Sequence, residues 1–209
     1  DASAAGMFVM NSATTYLLPI LEEPNLPRAA IWAPLPHAGL VQLAFDELIE
    51  RACKSLAQGG QRLAVLSPHE ANLAASQNGL AGIGVSREKL SSHLVTPVGC
   101  ESVTRLLMDR SDRPDAVFIT DDNLIQPFLR GLESCGVRPK RDVYVLGHCN
   151  WPRPIGAAAG IDHIGFDVRE ILAAGKECIE AQRAGEQSPR RVVRPRFASE
   201  LLESLPNAS

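Results

Sequence analysis

Arg113-Pro-Asp-Ala-Val-Phe-Ile-Thr-Asp-Asp-Asn123 and Gly136-Val-Arg-Pro-Lys-Arg-Asp-Val-Tyr-Val-Leu-Gly147 decide the fold. Each holds a short run, Ala116 to Ile119 and Val143 to Leu146, that is apolar at every position and closed by polar or turn residues. A strand with one wet face alternates. An uninterrupted apolar run belongs to a strand covered on both faces, as in a parallel sheet. Leu63 to Leu66 repeats the pattern. Between the two quoted segments Leu124, Ile125, Phe128, Leu129 and Leu132 keep a helical spacing, but Pro127 sits where that helix needs an amide. The helix therefore starts late or bends.

Working outward, weaker strands are expected at Gly6–Met10, Ala29–Trp32, His163–Ile164 and Arg191–Val193. The clearest helix spans about 45 to 58, with Phe45, Leu48, Ile49, Ala52 and Leu56 on one face and Gly59-Gly60 as its stop. Another runs from Asp167, a capping carboxylate supported by Glu170, to Gly185. Shorter helices are expected near 13–22, 72–82 and 101–109. Strands alternating with helices of these lengths make βαβ units with right-handed crossovers and an open parallel sheet.

Composition narrows the function classes. The 209 residues are 45% hydrophobic, enough for a sizeable core. With 21 basic and 24 acidic residues the formal charge is −3, so this piece alone has no positive field for holding nucleic acid through its phosphates. No stretch reaches the roughly 20 apolar residues of a membrane span, and the first residues lack the pattern of a signal peptide, so a cytoplasmic protein is expected. The five cysteines are scattered without a C-x-x-C pair, which fits reduced small hydrophobes better than disulfides or a zinc site. The histidines lie apart, with no nucleophile elbow, no H-E-x-x-H pair and no Walker or Rossmann loop. No catalytic set, metal or cofactor is expected.

The ordered series of segments resembles the LacI/GalR transcription regulators. The two stretches quoted first are similar to that family's "RPDAIFAAND" and "PeDvsVvGfDd" segments. Leu56-Ala-Gln-Gly-Gly-Gln-Arg-Leu-Ala-Val-Leu-Ser67 resembles its "LLELGHRRIAFIS", Gly6-Met-Phe-Val-Met10 its "DGLIL", and Ile161 to Arg194 its C-terminal tail. The resemblance implies a two-lobed α/β fold of the periplasmic-binding-protein-like type I, each lobe an open parallel sheet flanked by helices. It places residues 1–61 and 163–187 in a partial N-lobe, 62–162 in the C-lobe, and 188–209 in the last crossover and C-terminal strand and tail. The chain would begin at about the third strand, without the helix-turn-helix headpiece and the first βαβα unit. The function implied is that of an effector-sensing, dimerising core: a small, sugar-like molecule closes the inter-lobe cleft and changes how two tethered headpieces meet operator DNA. A periplasmic solute-binding protein is the alternative on the same fold.

The resemblance also points to site residues. The family's sugar-binding arginine, "ND" pair and "GFDD" carboxylate fall here on Ser76, on Asp121-Asp122 and on Cys149. Asp121 is expected to face the ligand and Asp122 to cap the following helix. His148 and Asn150, at the end of the third apolar run, are expected to line the cleft in place of the missing carboxylates, with Ser76 at the rim. Trp32 ends an N-lobe strand and is either a ring that stacks on ligand or a buried aromatic.

Overall fold

The computed structural model describes residues 6–10, 23, 26–156 and 159–203. The helix expected at 13–22 lies outside them. The chain forms two compact units: Asp1–Ala44 with Phe166–Pro195, and Phe45–Gly165 with Arg196–Ser209.

The smaller unit is built on four parallel strands, β1 (Met7–Met10), β2 (Arg28–Ile31), β3 (Gly39–Leu43) and β9 (Arg190–Val193), in that spatial order. Helix α5 (Val168–Arg183) packs on β2, β3 and β9 through a stripe that includes Ile171, Cys178 and Ile179. Asp167 caps α5 as expected: it accepts from the Arg169 amide at 2.8 Å and holds the Arg169 guanidinium at 2.6 Å.

The larger unit holds β4 (Leu63–Ser67), β5 (Leu90–Leu94), β6 (Ala116–Ile119), β7 (Tyr144–Trp151), β8 (Asp162–Asp167) and β10 (Arg196–Phe197), in the order β10-β8-β7-β6-β4-β5. The three apolar runs are neighbours in parallel register, with Leu63 opposite Ala116 and Ala116 opposite Tyr144. Every residue of β4 and β6 is buried, as their unbroken apolar character requires. One face carries α1 (Phe45–Gly59) and α2 (Glu70–Gly82); the core on the other is closed by α3 (Pro97–Met108) and α4 (Ile125–Ser134).

The conflict at Pro127 resolves as a late start. A 3-10 turn over Asp122–Leu124 precedes α4, so Pro127 falls in the first turn, where an amide would have no intrahelical partner. The division of the chain also differs from the sequence boundaries. The helix at 45–59 belongs with the larger unit because Leu48, Ala52 and Leu56 bury against its sheet, and the strand expected at Arg191–Val193 forms as β9 in the smaller unit's sheet. No helix among the described residues is long and apolar enough to cross a membrane.

Candidate functional site

Parallel strands end together. The carboxyl ends of β4, β6 and β7 therefore bring residues 67–69, 120–123 and 147–150 onto one edge of the larger unit, the edge where open α/β sheets take ligands. The floor is a buried hydroxyl pair: Thr120 donates to Ser67 Oγ at 2.7 Å, and the Ser67 hydroxyl donates to the His69 carbonyl at 3.0 Å. Asp121 Oδ1 accepts from the Asn123 amide nitrogen and from Asn123 Nδ2, both at 2.9 Å. Its Oδ2 faces His69 Nε2 at 4.0 Å. Asp122 Oδ2 accepts from Asn150 Nδ2 at 3.1 Å.

Strand β7 runs through to Trp151, so side chains alternate across the positions of interest. His148 and Asn150 share a face while Cys149 points into the interior, where burial pushes its thiol pKa up. Burial also holds the His148 imidazole below the ordinary value of 6.5, against the opposing pull of Asp122 and Asp121.

That sign fixes an acid response. A histidine kept neutral in the folded state binds fewer protons than in the unfolded chain, so stability is lost as pH falls from about 6.5 towards the lowered folded pKa. His93, on β5, is lowered in the same way by burial and by Arg110. We expect the unfolding midpoint to fall as pH drops from about 6.5 to 5, and His148→Gln to flatten part of that slope. A slope unchanged in His148→Gln would mean that the ring is not held neutral.

The structure thus brings together Asp121, Asp122, His148 and Asn150. Two of the sequence expectations need correction. Ser76 is not at a rim: it is fully buried in the second turn of α2, donates to the Asn72 carbonyl at 2.8 Å, and accepts from Cys53 of α1 through its own carbonyl. Asp121, not Asp122, is the cap. The backbone turns helical one residue early, which leaves Asp121 as the last extended residue, and its carboxylate takes the Asn123 amide. Trp32 belongs to the smaller unit, directly after β2; it is 53% exposed and sits at φ 84°, a left-handed conformation that a bulky residue adopts only under constraint. His69, Ser67 and Thr120 were missed. Their signal was present, since Ser67-Pro68-His69 directly ends one apolar run and Thr120 ends its neighbour.

Neither a family model nor a curated protein matches the sequence. The similarity is to solved structures. A LacI transcriptional regulator from a Rhodococcus species superposes with a TM-score of 0.74 at 16% identity, over 91% of this chain and 74% of that one. A LacI-family regulator from Enterococcus faecium with bound ribose gives 0.71 at 17%, over 91% and 76%. A LacI regulator from Lactobacillus casei with bound Tris gives 0.68 at 18%, over 92% and 74%. At such identities it is the arrangement of strands and helices that is shared, and this chain has the periplasmic-binding-protein-like fold of the LacI-family transcriptional regulators.

Proposed function

We propose that the chain is the effector-sensing core of a LacI/GalR-type transcriptional regulator. On this reading a polar small molecule docks on the strand ends of the larger unit and biases the conformations that a DNA-binding headpiece, carried elsewhere on the polypeptide, presents to its operator. The observation that carries it is the convergence of Asp121, Asp122, His148 and Asn150 at the carboxyl ends of adjacent parallel strands. Their carboxylates are held by amide donors, which fixes them as acceptors for ligand hydroxyl or amino groups. On the smaller unit taken by itself, Trp32 is exposed and conformationally constrained at a strand end, an aromatic face able to stack on a ligand ring. The reading is of a receptor in the cytoplasm and not an enzyme; at the strand ends the Ser67 hydroxyl donates to the His69 backbone carbonyl and accepts from Thr120 and the His69 amide.

Assembly follows from the operator logic, since a twofold protein matches a pseudo-palindromic site. Leu94 at the end of β5, and Val98 and Leu106 on α3, are 56%, 93% and 72% exposed, apolar side chains available to a homodimer contact. Sedimentation of the protein and of Val98→Glu/Leu106→Glu tests this: a dimer that the double variant dissociates is expected, and an unchanged dimer would place the contact elsewhere. Calorimetry with sugars, nucleosides and amino acids tests the site. A ligand in the micromolar range, weakened at least tenfold by Asp122→Asn, is expected, since a lost charged partner removes about 1.5 to 3 kcal/mol. Binding of a plain hexose indifferent to both Asp122→Asn and Asp121→Asn would show that the site lies elsewhere.

A further inference from the structure

The larger unit contains a second concavity, unrelated to the strand ends just described. It is an open groove with a volume of about 460 Å³, lined by one face of α1 (Arg51, Lys54, Ser55, Gln58), the first residues of β7 and β8 (Tyr144, Asp162, His163) and the C-terminal segment from Phe197 to Ser199. That volume lies within the range of about 300 to 1,000 Å³ used by small-molecule sites.

Its walls are held in place from behind. Gly59 has no side chain, and a Cβ there would fall within 2.1 Å of the Tyr144 ring, so the ring can lie against the end of α1 only because this residue is glycine. The Tyr144 hydroxyl is then fixed against Ser55 Oγ at 2.7 Å. On the opposite wall Arg51 holds the C-terminal segment twice, stacking over the Phe197 ring at 4.8 Å and pairing with Glu200 at 2.5 Å, while Glu200 also accepts from the Phe197 amide at 2.7 Å. His163 is buried, fixed to the Ile155 carbonyl at 2.7 Å and set edge-on to Trp151, whose indole donates to the Arg196 carbonyl at 3.2 Å.

The polar groups are not equivalent. Arg51 is committed to the C-terminal segment, and Asp162 faces Lys140 at 3.4 Å. Among the described residues Lys54 pairs with Glu50, one turn away on the same helix, and both side chains are more than half exposed. Such a pair contributes little and exchanges readily for a better-placed anion. Tyr144 meets the Asp162 carboxylate as well as Ser55, so the hydroxyl pair is left with an acceptor for a ligand hydroxyl, and the Tyr144 and Phe197 rings offer flat apolar walls.

We propose that this concavity is a binding site for a small flat aromatic carboxylate, its ring against Phe197 and Tyr144, its carboxylate on Lys54 and a ring hydroxyl at the Ser55–Tyr144 pair. Occupancy ties the C-terminal segment to α1, so a ligand here stabilises the larger unit through a contact that the strand-end site does not touch.

The test uses 4-hydroxybenzoate as the probe on the whole chain, in a Trp32→Phe background so that Trp151 is the remaining indole. Saturable quenching or shift of Trp151 emission is expected, with matching heat in calorimetry. Lys54→Met, on an exposed helix face, should weaken it about tenfold, the loss of one charged hydrogen bond. Ala198→Phe, which fills the space, should abolish it, and benzamidine, of similar shape but opposite charge, should bind at least tenfold more weakly. The proposal is overturned if the probe shows no saturable signal up to 10 mM, on the order of the weakest affinity worth calling a site. It is also overturned if benzamidine binds as well as the probe, or if affinity is unchanged in both Lys54→Met and Ala198→Phe.

Discussion

Gly165→Ala is expected to leave the larger unit without a stable fold. A Cβ at this position would lie 1.8 Å from the Cys149 carbonyl oxygen, 2.7 Å from its carbonyl carbon and 3.0 Å from its nitrogen, all backbone atoms of the adjacent strand. Overpacking in a core is usually absorbed by side chains at about 1 to 3 kcal/mol. Here no side chain can yield, and β8 is also pinned on its far edge, where Gly165 is opposite Arg196 of β10. The strands β7 and β8 would have to part, and with them the His148–Asn150 segment that forms the site. A loss of about 4 kcal/mol or more is expected, which places the variant at the edge of a typical domain's stability. Urea titration of Gly165→Ala, with Gly82→Ala as a control at a helical glycine that faces open space, checks it. A shift below about 1 kcal/mol would mean that β7 and β8 do not approach as closely as described.

What the sequence disclosed follows the same physics of burial. Strands β4, β6 and β7 lie side by side within the larger sheet, and their solvent-free faces select apolar residues at successive positions, so they could be read directly. Strand β5 could not. It is the edge strand of that sheet, its Leu-Ser-Ser-His-Leu sequence is only partly buried, and a half-solvated edge imposes no apolar run. Strand β3 begins at a glycine next to a proline-rich stretch, which hides it from a reading by apolar runs. Helix α3 begins at Pro97, four residues before the expected start, because proline at the first helical position reads as a breaker in a pattern search although it is favourable there.

At the site the limits were of another kind. Asp121 was singled out by its match to the family's ND pair, and His148 and Asn150 by their place at the end of an apolar run where the family carries a carboxylate. The turn geometry that makes Asp121 the cap depends on one residue's backbone dihedrals, which pattern does not fix. Ser76 was placed by correspondence with a family arginine. A long charged side chain can reach solvent from a helix face that buries a serine, so the correspondence of position carried no correspondence of exposure. His69 was visible only as an isolated histidine, because its pairing with Asp121 requires knowing that β4 and β6 are adjacent.

Phe118→Ala is the second change expected to have a large effect, and it separates the scaffold from the site. Phe118 lies within β6, between Val65 of β4 and Leu146 of β7, and is fully buried. Truncation removes the ring's transfer free energy and leaves a cavity that a sheet hydrogen-bonded on both sides cannot collapse, so about 3 to 5 kcal/mol should be lost. Two and three residues further on, just past the end of the strand, the chain reaches Thr120 and Asp121, and the register that places them is set by backbone pairing to Leu66 and Gly147, not by the ring. The folded fraction should therefore keep its strand-end geometry. The expected result is a urea midpoint lowered at constant m-value, together with ligand affinity within about threefold of the parent at a temperature where both are folded. A change in m-value would point to a disrupted native sheet, and a large affinity loss at constant m-value would show that the core under β6, and not strand register alone, positions the carboxylates.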